Sequence, residues 1–149
     1  MYFFIFAVIA ALDQIIKYIV VSSIDYNYEI EVVKNFFYLT NIRNRGAAWG
    51  ILQNYRIFFI VITTVIVFVM LHFMVKEKSN YIRVMYAFII GGAIGNFVDR
   101  LFRGYVIDFL DFYIGPYHFP TFNVADIFIT LGSILLVYEV VCKEKESYA

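Results

Sequence analysis

Four apolar runs, at residues 2–21, 57–75, 81–102 and 123–141, divide this chain. Each approaches or exceeds the ~20 residues that a helix needs to cross about 30 Å of hydrocarbon. The second is the cleanest, broken only by Thr63, Thr64 and His72. Between the runs lie one short polar turn, 76–80, and two longer connections, 22–56 and 103–122. With four spans, both termini and the short turn share one membrane face, and both long connections share the other. The first connection holds Tyr26-Asn27-Tyr28-Glu29-Ile30-Glu31-Val32-Val33 and Phe36-Phe37-Tyr38-Leu39-Thr40. Their β-branched and aromatic content predicts short strands at the membrane surface. The expected architecture is an all-α membrane protein: four transmembrane helices, with a small β-containing cradle and loop on the long-connection side. No repeat, linker or low-complexity tract divides residues 1–149, which read as a single membrane domain.

Polar residues inside the spans are not scattered. At 1.5 Å per residue, Asp13 lies ~17 Å and Lys17 ~23 Å into the first span, and Asn96 ~22 Å and Arg100 ~28 Å into the third. The fourth span runs back from the long-connection side, with Asp126 only ~5 Å into it. Lys17, Asn96, Arg100 and Asp126 therefore share the third of the membrane nearest the long connections, with Asp13 closer to the middle. A carboxylate at mid-bilayer costs roughly 2.5–3.5 kcal/mol, so an acid kept near a membrane helix points to function.

Composition agrees with the spans: 62% of residues are hydrophobic and 16% charged, and the mean hydropathy is +0.76. Formal net charge is zero, which gives no electrostatic case for nucleic acid. The one cysteine, Cys142, excludes an intrachain disulfide and a multi-cysteine metal site. The start resembles a secretory signal but lacks a basic segment, and Asp13 and Lys17 interrupt it, so it reads as a retained span. Basic residues nearly balance between the faces. Lys76, Lys78, Arg83, Lys143 and Lys145 lie on one, and Lys34, Arg43, Arg45, Arg56 and Arg103 on the other. Their density in short segments leans towards a cytoplasmic turn and tail.

Four constellations carry candidate chemistry, each with a plain structural counterpart. Asp13 and Lys17, at i,i+4, make an intramembrane ion pair with Lys17 snorkelling towards the interface, or support a nearby site. Asn44-Arg45-Gly46-Ala47-Ala48-Trp49-Gly50 offers a close backbone approach at Gly46 and an amide that could hold a peptide. Its plain reading is a turn with Trp49 as an interfacial anchor. Gly91 and Gly95 form a small-residue packing face, with Asn96 and Arg100 one turn apart at its polar end. Asn123 is a candidate N-cap with Asp126 at N3, close to a capping box, which also fixes that carboxylate in space. Asp108 has no such local role, and spacing does not rank Asp111 below it. No HExxH or GxSxG occurs, and His72 and His118 are far apart, which disfavours a zinc or serine hydrolase. Carboxylates remain as the groups for hydrolysis.

Taken together, these runs resemble signal peptidase II, the bacterial lipoprotein signal peptidase family. The resemblance rests on Asp13…Lys17, Asn44-x-Gly46-Ala47-Ala48, Gly92-x-x-Gly95-Asn96-x-x-Asp99-Arg100, Val106-x-Asp108-Phe109 and Phe122-Asn123-Val124-Ala125-Asp126. They stand in the family's order across nearly the whole chain, and Trp49 stands where the family more often has Phe. The resemblance implies an aspartic endopeptidase of the bacterial cytoplasmic membrane that needs no metal or cofactor. It implies that a prolipoprotein is cut just before its diacylglyceryl cysteine, and that cyclic peptides such as globomycin inhibit the enzyme. It further implies cytoplasmic termini, a site at the extracytoplasmic face, and membrane lipid around both. Asp108 and Asp126 match the catalytic pair. Asn44, Gly46, Asn96, Arg100 and Asn123 match the surrounding positions, with Asp13 and Lys17 behind them. Two other classes are weighed against it. A small proton-coupled carrier would want its acid at mid-membrane with short loops, and a structural subunit would use its acids for stability alone.

Overall fold

The computed structural model describes residues 1–47 and 51–147. Trp49 and the side chains of 142–147 lie outside the described set. The order is α1 (Tyr2–Ser23), β1 (Glu29–Val33), β2 (Phe37–Asn44), α2 (Arg56–Lys76), α3 (Asn80–Phe102), β3 (Val106–Ile114), β4 (Tyr117–His118) and α4 (Val124–Ser147). The four helices begin and end within two residues of the predicted spans, except that α4 continues to Ser147. All four are long and apolar enough to cross a membrane.

Helix α3 is the centre of the bundle and packs against each of the other three. Its glycines make this possible. A Cβ on Gly92 would overlap the Ala125 carbonyl oxygen of α4, and one on Gly95 would stand 2.6 Å from Asp13 Oδ2 of α1. The small-residue face expected at Gly91 and Gly95 thus meets α1, while Gly92 turns to α4. Helix α2 touches the bundle through α3 and buries only Met74. Apart from Thr63, Thr64, His72 and the charged ends Arg56 and Lys76, the rest of its surface is apolar, as suits a helix facing hydrocarbon.

The strands form one antiparallel sheet in the order β1-β2-β3-β4. The predicted pair of strands in the first connection is present as β1 and β2, with the second running on to Asn44. The long strand β3, in the second connection, goes beyond the strands expected from the sequence. Its signal is legible in retrospect: apart from Asp108 and Asp111, the run Val106–Ile114 is β-branched, aromatic or leucine, and it leads into Gly115-Pro116. Strand β2 carries a bulge. Leu39 pairs with Leu110 and Ile42 with Asp108, so Thr40 and Asn41 together face Phe109 alone. Both bulge residues are buried; Thr40 Oγ1 donates to the Tyr28 carbonyl at 3.1 Å and Asn41 Nδ2 to that of Ile24 at 2.8 Å. Beyond the bulge, Asn44 pairs with Val106 and its side chain reaches Asp108 diagonally. On the opposite face of β3, Ile107 and Phe109 pack onto Val20 and Ile24, which fixes the sheet to the end of α1.

Candidate active site

Asp108 projects from β3 and Asp126 from the first turn of α4, and both line one cavity of about 270 Å³ with Asn44, Gly46, Asn96 and Arg100. Asn123 joins the two. Its backbone N–H donates to Asp126 Oδ2 at 3.2 Å, and its Oδ1 accepts from the Asp126 N–H at 3.0 Å. This is the reciprocal capping box that the Asn123–Asp126 spacing predicts. The Asn123 amide nitrogen then donates to Asp108 Oδ1 at 2.7 Å, to Asn96 Oδ1 at 3.1 Å and to the Ile107 carbonyl at 3.3 Å. Each carboxylate has a second amide as well. Asn96 Nδ2 reaches Asp126 Oδ1 at 2.7 Å, and Asn44 Nδ2 reaches Asp108 Oδ2 at 2.9 Å. Asp108 is 3% exposed. Burial, followed by the charge of Asp126, pushes its carboxyl up to about 7, and the Asn44 and Asn123 bonds only partly offset this.

Asn44, Asn123 and Arg100 each bond to neighbours within the chain. Asn44 Oδ1 accepts from the Gly46 N–H at 2.9 Å, so both ends of its amide are engaged within the chain. Asn123 is likewise committed at both ends. Arg100 donates to the Gly46 carbonyl at 3.2 Å and stacks on Phe59. These three side chains set the carboxylates and the 44–47 turn in place. A Cβ on Gly46 would lie 2.6 Å from the Ile51 carbonyl oxygen, so this turn folds tightly under itself.

Behind the cavity, Asp13 and Lys17 form the expected ion pair at 2.8 Å, but Lys17 does not snorkel. Its ammonium is fully buried and also meets Asp99 Oδ2 at 2.8 Å and Asn96 Oδ1 at 2.9 Å. Fixed donors on Asn96 Oδ1 leave its NH₂ turned to Asp126. Asp13 Oδ1 accepts from the Ala125 N–H at 3.0 Å, tying α1 to the start of α4. Asp99 is the residue that reasoning on individual positions passes over. It also pairs with Arg103 and accepts from Gln14 Nε2 at 3.1 Å and the Ile107 N–H at 3.1 Å. The i, i+3, i+7 spacing of Asn96, Asp99 and Arg103 on α3 could have revealed it.

Asp111 has a different environment. Buried among β3 and β4, it meets His118 Nε2 at 2.6 Å and Thr121 Oγ1 at 3.4 Å. It lies outside the cavity that Asp108 and Asp126 share. A second, more open cavity of about 620 Å³ adjoins the first through Asn44, Ala47, Asp108, Pro120 and Thr121, and extends towards Arg43, Arg45 and His118.

Fold and site together define a multi-pass membrane protein with a buried carboxylate, Asp108, and a half-buried one, Asp126, facing one cavity near one end of its helix bundle. The sequence profile described as Signal peptidase (SPase) II matches residues 5–142. A lipoprotein signal peptidase of Bacillus pumilus (strain SAFR-032) is 41% identical over 148 residues, covering 98% of this chain and 96% of that protein. A bacterial membrane enzyme solved by the in meso method at 2.3 Å superposes with a TM-score of 0.89 at 34% identity, over 99% of this chain and 91% of that one. Another, at 1.9 Å, gives 0.84 at 36% identity, over 93% and 91%. The chain belongs to the signal peptidase II family, and with it to the aspartic peptidases.

Proposed function

We propose that this chain is a single-domain membrane endopeptidase that removes the signal peptide from a diacylglyceryl-modified prolipoprotein, cutting before the lipidated cysteine. The observation that supports it most is the shared environment of Asp108 and Asp126, which meet one cavity and one bridging residue, Asn123, through its side-chain amide and its backbone N–H respectively. Like charges this close cannot both ionise easily, so the pair holds one proton between them. The ionised member takes a proton from water, whose oxygen attacks the scissile carbonyl. The protonated member hydrogen-bonds the carbonyl oxygen as it gains charge. Collapse of the tetrahedral centre breaks the C–N bond, and the proton held by the pair passes to the departing amine. The cavities crowd one end of the bundle rather than its middle, which speaks against a carrier open to both sides.

In this reading the protein lies in the bacterial cytoplasmic membrane with both termini cytoplasmic and the carboxylates near the extracytoplasmic face. The signal helix arrives laterally and unwinds at the 270 Å³ cavity. The chain after the cysteine leaves along the 620 Å³ one. Globomycin-like cyclic peptides compete for the inner cavity. Purified protein given lipidated and unlipidated forms of one prolipoprotein should release the signal peptide from the lipidated form, leaving the modified cysteine at the new N-terminus by mass spectrometry. Equal cleavage of the unlipidated form, or a cut elsewhere, would sink the substrate assignment. Because Asp108 is raised to about 7, the pair keeps its proton below that pH and loses it above. The kcat/KM profile should therefore fall above about pH 7, approaching about tenfold per unit. A profile flat to pH 9 would contradict the shared proton.

A further inference from the structure

The two ends of the bundle carry different cations. The turn-and-tail end has mostly lysines, whereas the site end has Arg43, Arg45, Arg56, Arg100 and Arg103. Three of these, Arg45, Arg56 and Arg103, line a further cavity of about 320 Å³ together with Asn54, Gly104 and Tyr105, and no carboxylate lines it. Arg56 opens α2 and Arg103 follows the end of α3, so the cavity lies where both spans leave the apolar layer. It shares no lining residue with the 270 Å³ cavity and only Arg45 with the 620 Å³ one.

The charges at this cavity are not equally spent. Arg103 is matched by Asp99 within the buried cluster, where two acids, Asp13 and Asp99, balance Lys17 and Arg103. Arg56 donates only to backbone carbonyls, those of Arg100 at 2.7 Å and Leu101 at 2.8 Å, through Nε and Nη2. Its Nη1 faces Gly104, where a Cβ would lie 3.6 Å away. Arg45 has no side-chain partner among the described residues. Two uncompensated guanidinium groups therefore converge on one cavity at the membrane boundary. A planar fork of donors matches the paired oxygens of a phosphate, where a lysine presents only a point charge.

We propose that this cavity binds the phosphodiester of an anionic membrane phospholipid, with Arg45 and Arg56 supplying the donors and the acyl chains lying along the apolar faces of α2 and α3. The substrate's own diacylglyceryl group carries no phosphate, so this lipid is a separate ligand. The proposal rests on the peptidase reading only for which leaflet supplies it.

The test uses the full-length protein in nanodiscs of phosphatidylcholine with graded phosphatidylglycerol, reading bound lipid by native mass spectrometry after gentle release. Wild type should retain one phosphatidylglycerol in preference to phosphatidylcholine. Arg45→Gln should weaken that retention about tenfold or more, Arg45→Lys less so, and Lys76→Gln at the other end should leave it unchanged. Unfolding temperatures of the variants guard against a folding effect, since the Arg45 side chain makes no hydrogen bond or ion pair among the described residues. No preference for the anionic lipid, or equal retention by Arg45→Gln, would overturn the proposal. Displacement by millimolar inorganic phosphate would assign the cavity to a free phosphate instead. Because Arg45 also borders the outer cavity, cleavage is compared on Arg56→Gln, which touches neither carboxylate-lined cavity; lost lipid retention with hydrolysis intact in that variant keeps the two questions apart.

Discussion

Asp108→Asn and Asp126→Asn each reduce kcat/KM on a lipidated prolipoprotein by at least about 10³-fold, the scale of losing a positioned acid–base group. The substitutions keep shape and remove the titrating proton. In Asp126→Asn the new amide retains an oxygen for either the Asn96 side chain or the Asn123 N–H, and the backbone N–H at 126 still donates to Asn123 Oδ1, so α4 still starts at Val124. In Asp108→Asn the new amide retains an oxygen for one of the two present donors, Asn44 or Asn123. Unfolding temperatures should therefore move little while cleavage disappears, which separates a chemical role from a structural one. Asp111→Asn is the control. Its partners are His118 and Thr121, and it should keep most of the activity. Near-normal cleavage by either Asp108→Asn or Asp126→Asn would dissolve the pair, and an equal loss in Asp111→Asn would reopen which acid faces Asp126.

Lys17→Met should have the largest effect on stability. The ammonium lies fully buried between Asp13 and Asp99, each at 2.8 Å. Removing it leaves two acids against Arg103 alone, and breaking such a buried pair costs about 3–5 kcal/mol. The consequence reaches the site through Asn96, whose oxygen loses one of its two donors. Combining Lys17→Met with Asp13→Asn should recover much of the loss, since an asparagine oxygen can still accept from the Ala125 N–H. The measurement is the unfolding midpoint of single and double variants in the same detergent. A single variant as stable as wild type would show that the cluster is not held by its charge.

The helices were legible because hydrocarbon imposes length and composition together: the four apolar runs could hardly be anything else, and the structure moves their limits by two residues at most apart from the end of α4. The Asn123–Asp126 cap was legible because it is local. Depth counting also worked, placing Lys17, Asn96 and Asp126 at one level, where they are now hydrogen-bonded in a row. What escaped was non-local. Strand β3 depends on β2 for its pairing, and the bulge at Thr40 and Asn41 that turns Asn44 onto Asp108 has no signature in either strand alone. The inward turn of Lys17 was missed because its second acid, Asp99, lies far along the chain on another helix, and a lysine near an interface ordinarily reaches for water. Spacing could not tell the surroundings of Asp111 from those of Asp108; in the fold Asn123, just before α4, bonds Asp108, while His118 of β4 takes Asp111.

The bond from Asp13 to the Ala125 N–H joins residues near the two ends of the chain. Translation delivers Asp13, Lys17 and Asp99 first, on α1 and α3, with Ala125 the last of their partners to arrive. Asp126 comes last, on the final span, into a seat its neighbours have already shaped. A nascent chain halted before residue 123 carries Asp108 with its Asn44 partner but neither Asn123 nor Asp126. With Asp108 and Asp126 as the proposed pair, hydrolytic competence would arrive only when synthesis has reached the fourth helix, and a ribosome-bound precursor would be inert towards the lipoproteins being made around it.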